Sequence, residues 1–521
     1  MTIRPPRITP RWLIARTSAG WDAAFTTSYT PRGNVTKVSR WRNTDGGYLH
    51  TYAHYDIAGN VVKTIDANGN ATNIEFADRF GSPNGEAQSN TPPSIWLNGQ
   101  TTFAFPTKVT NALGHIAYTQ VDYFLGKPVD TEDPNNIKSS LYYDDVLDRP
   151  TKGIRAVGTA LQNQTLITYD DTNKVITTAT DKDAYQDGIL QSKALYDGLG
   201  RTYRTARLDV SNQWSIAETQ FDALGRAWRS SNPFRAASVN AALPANPEWT
   251  TTSYDALSRV TQVTTPDGSQ VNTSYLGNTV TVTDQAGKNR KSETDALGRL
   301  TKVWENPTGL NYLTSYSYDE LDNLTTVTQG AQTRSFVYNS YKQLKQATNP
   351  ESGTTSYSYD NNGNLLTKTD ARGWITTYGY DALNRNTTVD YTGQGYTHFA
   401  RFYYDGTTNG KGRLDVGHLV STQSGTTTQE WFQILNYDVL GRAGLRRQQM
   451  YRAGAWSALY NTARTYDLVG NVKSQTYPSG RVVNYDYNNA GQMATFTGNL
   501  GDGVNRVYAS EMAYNAAGQM T

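Results

Sequence analysis

The sequence predicts an all-β protein made of tandem β-hairpin repeats joined into one long, curved antiparallel sheet. Three observations predict it. A six-residue unit returns along nearly the whole chain, tyrosines two apart precede it, and Thr, Tyr, Asn and Gly abound while Leu, Ile and Val are sparse. Thr and Tyr suit a half-buried pleated surface, and Gly, Asn and Asp suit the turns between strands. The 521 residues would make several ordinary domains, but a repeat array is exempt from that expectation.

The unit stands as Tyr196-Asp197-Gly198-Leu199-Gly200-Arg201, Phe221-Asp222-Ala223-Leu224-Gly225-Arg226, Tyr254-Asp255-Ala256-Leu257-Ser258-Arg259 and Thr294-Asp295-Ala296-Leu297-Gly298-Arg299. It recurs at Tyr318-Asp319, Tyr359-Asp360, Tyr380-Asp381, Tyr437-Asp438 and Tyr466-Asp467. Other copies begin at Tyr55-Asp56, Tyr143-Asp144, Tyr487-Asn488 and Tyr514-Asn515. Neighbours lie mostly about 20–33 residues apart, a period typical of solenoid-like arrays.

Each copy reads as a turn. Asp at the first corner accepts backbone N–H bonds, and Gly at the fourth position takes the positive φ that follows a type I turn in a bulged hairpin. The turn residues so assigned are Asp56, Gly59, Asp197, Gly200, Asp222, Gly225, Asp255, Asp295, Gly298, Asp319, Asp360, Gly363, Asp381, Asp438, Gly441, Asp467 and Gly470. Where Gly is missing, Asn384, Asp322 and Asp148 stand in, the residue types that best tolerate the left-handed region. Ser258 and Lys342 fit less well and mark strained or altered turns.

The strand before each turn carries Tyr316/Tyr318, Tyr357/Tyr359, Tyr378/Tyr380 or Tyr485/Tyr487, two rings on one face. Successive repeats would set these rings side by side as aromatic ladders. A second strand follows the turn, as in Arg299-Leu300-Thr301-Lys302-Val303-Trp304, and then a looser turn such as Pro266-Asp267-Gly268 or Pro478-Ser479-Gly480. Asp66-Ala67-Asn68-Gly69, Asp284-Gln285-Ala286-Gly287 and Asp370-Ala371-Arg372-Gly373 read as half-repeats out of phase with the main series.

The organisation is therefore a non-repeat segment over 1–27 and a repeat array over 28–521, with irregular insertions near 76–105 and 230–250. The array stops one strand into a repeat, so residues 515–521 are expected to be exposed or frayed and to pair with a following segment.

Composition excludes several function classes. The net charge is +2 with both signs interspersed, so no basic stripe invites nucleic acid. The absence of Cys removes disulfide scaffolds, Cys-ligated zinc and thiol catalysis. No apolar run approaches the roughly 18 residues of a membrane helix. The apolar stretch at 12–15 is shorter than the roughly 7–15 residues of a secretory signal.

Candidate sites weigh poorly. The recurring aspartates occupy one turn position, and no pair is singled out as glycosidase acids. His50 and His54 share a strand face but lie about 13 Å apart by strand rise, too far for one metal. Asp181, Asp183 and Asp187-Gly188 miss the spacing of a calcium-binding EF-hand loop. Off-phase Trp228, Trp374 and Trp431 are the aromatic candidates for a glycan-binding face, against the plainer reading that rings pack the sheet. No nucleophile elbow, phosphate loop or dinucleotide fingerprint is present. No catalytic residue, metal ligand or cofactor is assigned.

Tyr-Asp-x-x-Gly-Arg/Asn at this period, with Pro-x-Gly turns, resembles the RHS/YD-repeat family: bacterial RHS polymorphic toxins, B and C components of insecticidal toxin complexes, wall-associated proteins and teneurins. The resemblance covers roughly nine-tenths of the chain. It implies a sheet that spirals into a hollow or partial shell, a non-catalytic scaffold that encloses a C-terminal or neighbouring cargo, and an extracellular or cell-surface location. An adhesin-like surface for glycan or protein is the alternative. Toxin relatives end their array in Asp-Pro-x-Gly-Leu, associated with self-cleavage. Here the only Asp-Pro is Asp133-Pro134, followed by two Asn, which puts self-cleavage in doubt.

Overall fold

A computed structural model describes residues 33–88, 101–393, 396–423 and 425–521. The segment 1–27, the start of the array at 28–32 and the middle of the 76–105 insertion lie outside the described residues.

The architecture is all-β: among the described residues forty strands join in one sheet, and the strands pair antiparallel. Among the described residues there is no α-helix, only a 3-10 turn at Val210–Asn212. Strands follow one another as a meander, with two branch points among the described residues. Trp214–Phe221 pairs with Ala227–Ser231 along its second half and with Phe234–Ala236 along its first, and Ala443–Arg452 pairs with both Ala455–Trp456 and Tyr460–Tyr466. The sheet is open, since among the described residues Lys37–Trp41 and Arg506–Ala509 each pair on one side only.

Hairpins in a meander alternate between two rims of the sheet. The Asp-x-x-Gly-Arg turns fall on one rim, and the looser turns and half-repeats fall on the other. At the first rim the register slips by one residue in hairpin after hairpin. Tyr318 faces Leu324 while Ser317 faces Thr326, leaving Thr325 extra. The same slip recurs at Tyr254, Tyr359, Tyr380, Tyr466 and Tyr487. The opposite rim lacks it where Val260–Thr264 meets Gln270–Leu276. A bulge bends its strand and sharpens the local twist. Placed on one rim of hairpin after hairpin, it curls the sheet instead of letting it extend flat.

The curl brings the sheet round onto itself. Turns of the looser rim meet Asp-turns some 276 to 319 residues further along the chain. The array is thus a spiral wall one sheet thick, and a coil takes about that many residues.

A single layer buries little, and most face residues are half-buried. The deepest apolar cluster is Leu195, Ala206, Ile216 and Val239. Val239 comes from the irregular 232–248 segment, tied down by the buried Arg204 guanidinium, which donates to Val239 O and Ala241 O at 2.8 Å and also pairs with Glu218. The other covered patch lies under residues 76–88 and 101–107. There the buried Asp130 carboxylate accepts the N–H groups of Asn84 and Gly85 at 3.0 Å and the Ser140 hydroxyl, and Phe80 packs 3.8 Å from Tyr123. The described parts of both segments therefore cover the sheet locally and add buried apolar contacts to it.

Asp130→Ala strands those N–H donors in a buried site, each worth about 1–3 kcal/mol. The expected result is a loss of roughly 2–3 kcal/mol in urea unfolding and new chymotryptic cleavage at Phe103 or Phe105.

Candidate functional site

The chemistry of the chain is concentrated in its turn rims. In the unit at 197–201, Asp197 N–H donates to Arg201 O at 2.9 Å and Gly200 N–H to Asp197 O at 3.1 Å, with Gly200 at φ +76°. One carboxylate oxygen of Asp197 accepts the N–H groups of Leu199 and Arg201 at 2.8 and 3.0 Å, and the other accepts Arg201 Nε at 2.8 Å. The pattern repeats at Asp222, Asp255, Asp295, Asp381 and Asp438 with Arg. It repeats at Asp56, Asp319, Asp360 and Asp467 with Asn supplying the side-chain donor. Gly59, Gly225, Gly298, Gly363, Gly441 and Gly470 all hold positive φ, as do Asp148, Asp322 and Asn384. Ser258 and Lys342 take the same backbone, at φ +62°, and keep the hydrogen bond to the corner carbonyl. These two turns are strained but not altered. At 143–149 the corner is Asp145 and not Asp144, because Asp148 N–H closes on Asp145 O.

Two further features tie each unit to the next. The tyrosine hydroxyl donates backwards to the carbonyl that follows the preceding unit's Arg or Asn: Tyr254 to Ala227, Tyr318 to Leu300, Tyr380 to Leu365, Tyr466 to Ala443 and Tyr487 to Val472, at 2.7–3.1 Å. The arginine lies over the next unit's ring, Arg201 on Phe221, Arg226 on Tyr254, Arg385 on Tyr404 and Arg442 on Tyr466, 4.3–4.9 Å from the centroid. Between successive units the tyrosines meet guanidinium groups, as Tyr318 meets Arg299, where the sequence suggested ladders of rings; the rings that do line up, Tyr485 with Phe496 and Phe496 with Tyr508 at 6.2 and 6.0 Å, lie on adjacent strands. The reason is distance. Successive units sit two strands apart, about 9–10 Å, whereas ring pairs need roughly 4.5–7 Å.

The rims also meet each other at the seam between coils. Asn68 Nδ2 donates to Asp360 at 2.9 Å, and Asn362 Nδ2 donates to Asp66 at 2.6 Å. Ser340 N–H and Oγ bond Asn43 Oδ1 and Trp41 O, both at 2.9 Å. Asn135 of the Asp133-Pro134 turn exchanges two hydrogen bonds with Lys411, and Leu468 N–H reaches Lys182 O at 2.7 Å. The half-repeat turn at 66–70 is thus a seam partner of a main turn. Residues 514–519 close a turn whose carbonyls at Tyr514 and Asn515 accept Arg235, so this stretch is docked and not frayed, although 517–521 stay exposed.

The RHS Repeat family matches residues 295–334, 338–373, 359–396 and 466–501, stretches that contain the turns at Asp295, Asp319, Asp360, Asp381 and Asp467. Those stretches of the chain are RHS repeats. Among curated proteins none matches the sequence. The chain is similar to the crystal structure of TcdB2-TccC3, with a TM-score of 0.74, 15% identity and 93% of this chain covered. It is also similar to the Photorhabdus luminescens Tc holotoxin pore, with a TM-score of 0.72, 14% identity and 97% covered. The chain spans 28% and 30% of those chains' lengths.

The other residues singled out in the sequence serve the repeat framework. Asp181 accepts the N–H groups of Gln164, Gln186 and Gly188, and Asp187 accepts those of Lys182, Asp183, Ala184 and Ile189. Burial pushes the Asp187 carboxyl up, and its four N–H donors more than offset that, so it sits below the usual range. Both carboxylates are spent on shaping their own loop. His50 bonds Ser39, and the buried His54 has its pKa lowered by burial. Among the described residues no group of three or more His, Asp or Glu is placed to hold a metal ion. Trp228, Trp374 and Trp431 each carry an arginine over the ring.

Two predictions follow from this geometry. Tyr318→Phe keeps the ring and loses one hydrogen bond, so it should cost about 0.5–1.5 kcal/mol in denaturant unfolding. The turn carboxylates also set the acid limit. Hydrogen bonds from Arg201 and Arg299 hold Asp197 and Asp295 below 3.8, those from the Arg226 and Arg259 backbone do so for Asp222 and Asp255, and Arg149 brings Asp145 to about 2. Groups with depressed folded pKa contribute fully above the unfolded value and lose that contribution as pH falls through the folded one. The melting temperature should therefore be insensitive to carboxylate titration down to about pH 5, then drop steeply between about pH 4 and 2.

Proposed function

We propose that the chain is a non-catalytic wall segment of a secreted RHS protein, a scaffold that partly encloses or positions a neighbouring cargo polypeptide. The observation that carries this reading is how the motif groups are spent. The turn carboxylates, the tyrosine hydroxyls and the arginines are consumed in shaping a turn or in joining one repeat or coil to the next. What remains is a curved wall, which suits holding another chain.

The likeness to TcdB2-TccC3 and to a Tc holotoxin pore supports this reading, because a holotoxin is assembled from several components. An extracellular setting is part of the proposal. Among the described residues no helix is long and apolar enough to cross a membrane. The guanidinium groups over the off-phase tryptophans lend no support to a glycan-binding face.

The test is a protease-sensitive, unstructured reporter fused after Thr521. Enclosure predicts that trypsin cleaves it several-fold more slowly than the same reporter on an unrelated carrier, with slowing lost once the sheet is unfolded in urea. Equal rates on both carriers would overturn the enclosing role.

A further inference from the structure

The sequence holds five Asn-Gly pairs, and the curl of the sheet sets two of them against each other. Asn68-Gly69 closes a looser-rim turn of the first coil, and Asn362-Gly363 closes an Asp-turn of the second. Each asparagine crosses the seam. Asn68 Nδ2 donates to Asp360 at 2.9 Å, Asn362 Nδ2 donates to Asp66 at 2.6 Å, and Asn68 N–H donates to Asn362 Oδ1 at 3.1 Å. Of the other pairs, Asn98-Gly99 lies outside the described residues. Asn84 and Asn409 bond within their own coil, Asn84 Oδ1 accepting Glu86 N–H at 2.9 Å and Asn409 Nδ2 donating to Tyr437 O at 3.0 Å.

An Asn-Gly pair is open to one covalent step. The glycine nitrogen loses its proton and bonds the asparagine Cγ, the Cγ–Nδ2 bond breaks, and ammonia leaves. Water then opens the succinimide ring to aspartate or isoaspartate. Glycine has no Cβ to hinder the approach. At the seam the fold holds this step back. Gly69 N–H donates to Asp66 O at 3.1 Å and Gly363 N–H to Asp360 O at 3.2 Å, so each attacking nitrogen is held in a turn bond. Each leaving amide is tied to a carboxylate of the opposite coil. Asn68 and Gly363 are exposed, so water reaches both turns.

We propose that Asn68 and Asn362 are coupled deamidation sites: the seam protects both, and conversion of either one opens the seam there and exposes the other. An amide facing a carboxylate becomes a carboxylate facing a carboxylate. A new carboxylate at position 68 would meet Asp360, and one at 362 would meet Asp66. A hydrogen bond is lost and like charges take its place. The surviving asparagine then loses its partners across the seam. Asn362, for example, keeps only its bond to Asn384 in its own coil, and it reacts faster.

Peptide mass spectrometry of the full chain held in mildly alkaline buffer reads each site separately. In the folded wild type, Asn68 and Asn362 should convert several-fold more slowly than in urea, because conversion waits on local opening. Asn68→Asp mimics the first event and should raise the rate at Asn362 several-fold. Asn84 is the control for an intact fold, since its neighbour Gly85 donates its N–H to the buried Asp130, and its rate should not change. Combining Asn68→Asp with Asp360→Asn puts an amide opposite the new carboxylate. Asn already serves as the turn corner at Asn488 and Asn515, so the slow rate at Asn362 should return. An unchanged rate at Asn362 in Asn68→Asp overturns the inference. So does a matching rise at Asn84, a double variant as fast as the single one, or a wild type that converts equally fast in buffer and in urea.

Discussion

The structure depends on one interaction, the corner carboxylate that takes two backbone N–H groups on one oxygen and a side-chain donor on the other. It closes a tight turn with a left-handed fourth residue. The bulge sits directly beside that turn, and the bulge bends the strand. Repeated on one rim, the bend curls the sheet until its rims meet. Asp197, Asp319 and Asp467 differ in their donor, Arg or Asn, but they produce the same backbone.

A sheet one layer thick has few places to bury apolar surface, so its repeats are held by polar contacts between neighbours. The tyrosine hydroxyl and the arginine each act on the adjacent unit, and each bond is worth little by itself. Stability in such arrays is close to a sum of unit terms and nearest-neighbour terms, so many modest contacts suffice. Phe221 shows the tolerance: it lacks the hydroxyl, yet its ring still lies under Arg201. The segments at 232–248 and 76–88 supplement this, laying Val239 and Phe80 against the strand residues Ile216 and Val121.

The seam follows a different logic from the sheet. Its bonds involve Asn, Asp, Ser, Tyr and Arg side chains and turn backbones, including the backbone pair Leu468 N–H to Lys182 O, and among the described residues no strand of one coil pairs with a strand of the other. Short polar turns on both rims make this possible, since their side chains project past the last strand residue. This is why turn residues that look redundant in the sequence have two employments: Asp66 and Asp360 each shape a turn and each accept a bond from the other coil.

The sequence by itself determined the repeat, the strand-turn-strand alternation and the residues at each corner, because a turn is local: Asp, four residues and a positive φ settle it within one unit. It also carried the resemblance to RHS proteins, through Tyr-Asp-x-x-Gly-Arg at a steady period. The shift of the 143–149 corner to Asp145 was illegible because two aspartates stand side by side, and only hydrogen bonding chooses between them. The backward reach of Tyr318 and the forward reach of Arg226 were invisible for a related reason, since both cross to another unit. The seam was further still from view. Asn68 and Asp360 are 292 residues apart, and only the accumulated curl of many hairpins places them together. Which leucines are covered and which are bare was likewise decided by the tertiary structure, since the motif around Leu224 and Leu440 is nearly the same and only the coil beside it differs.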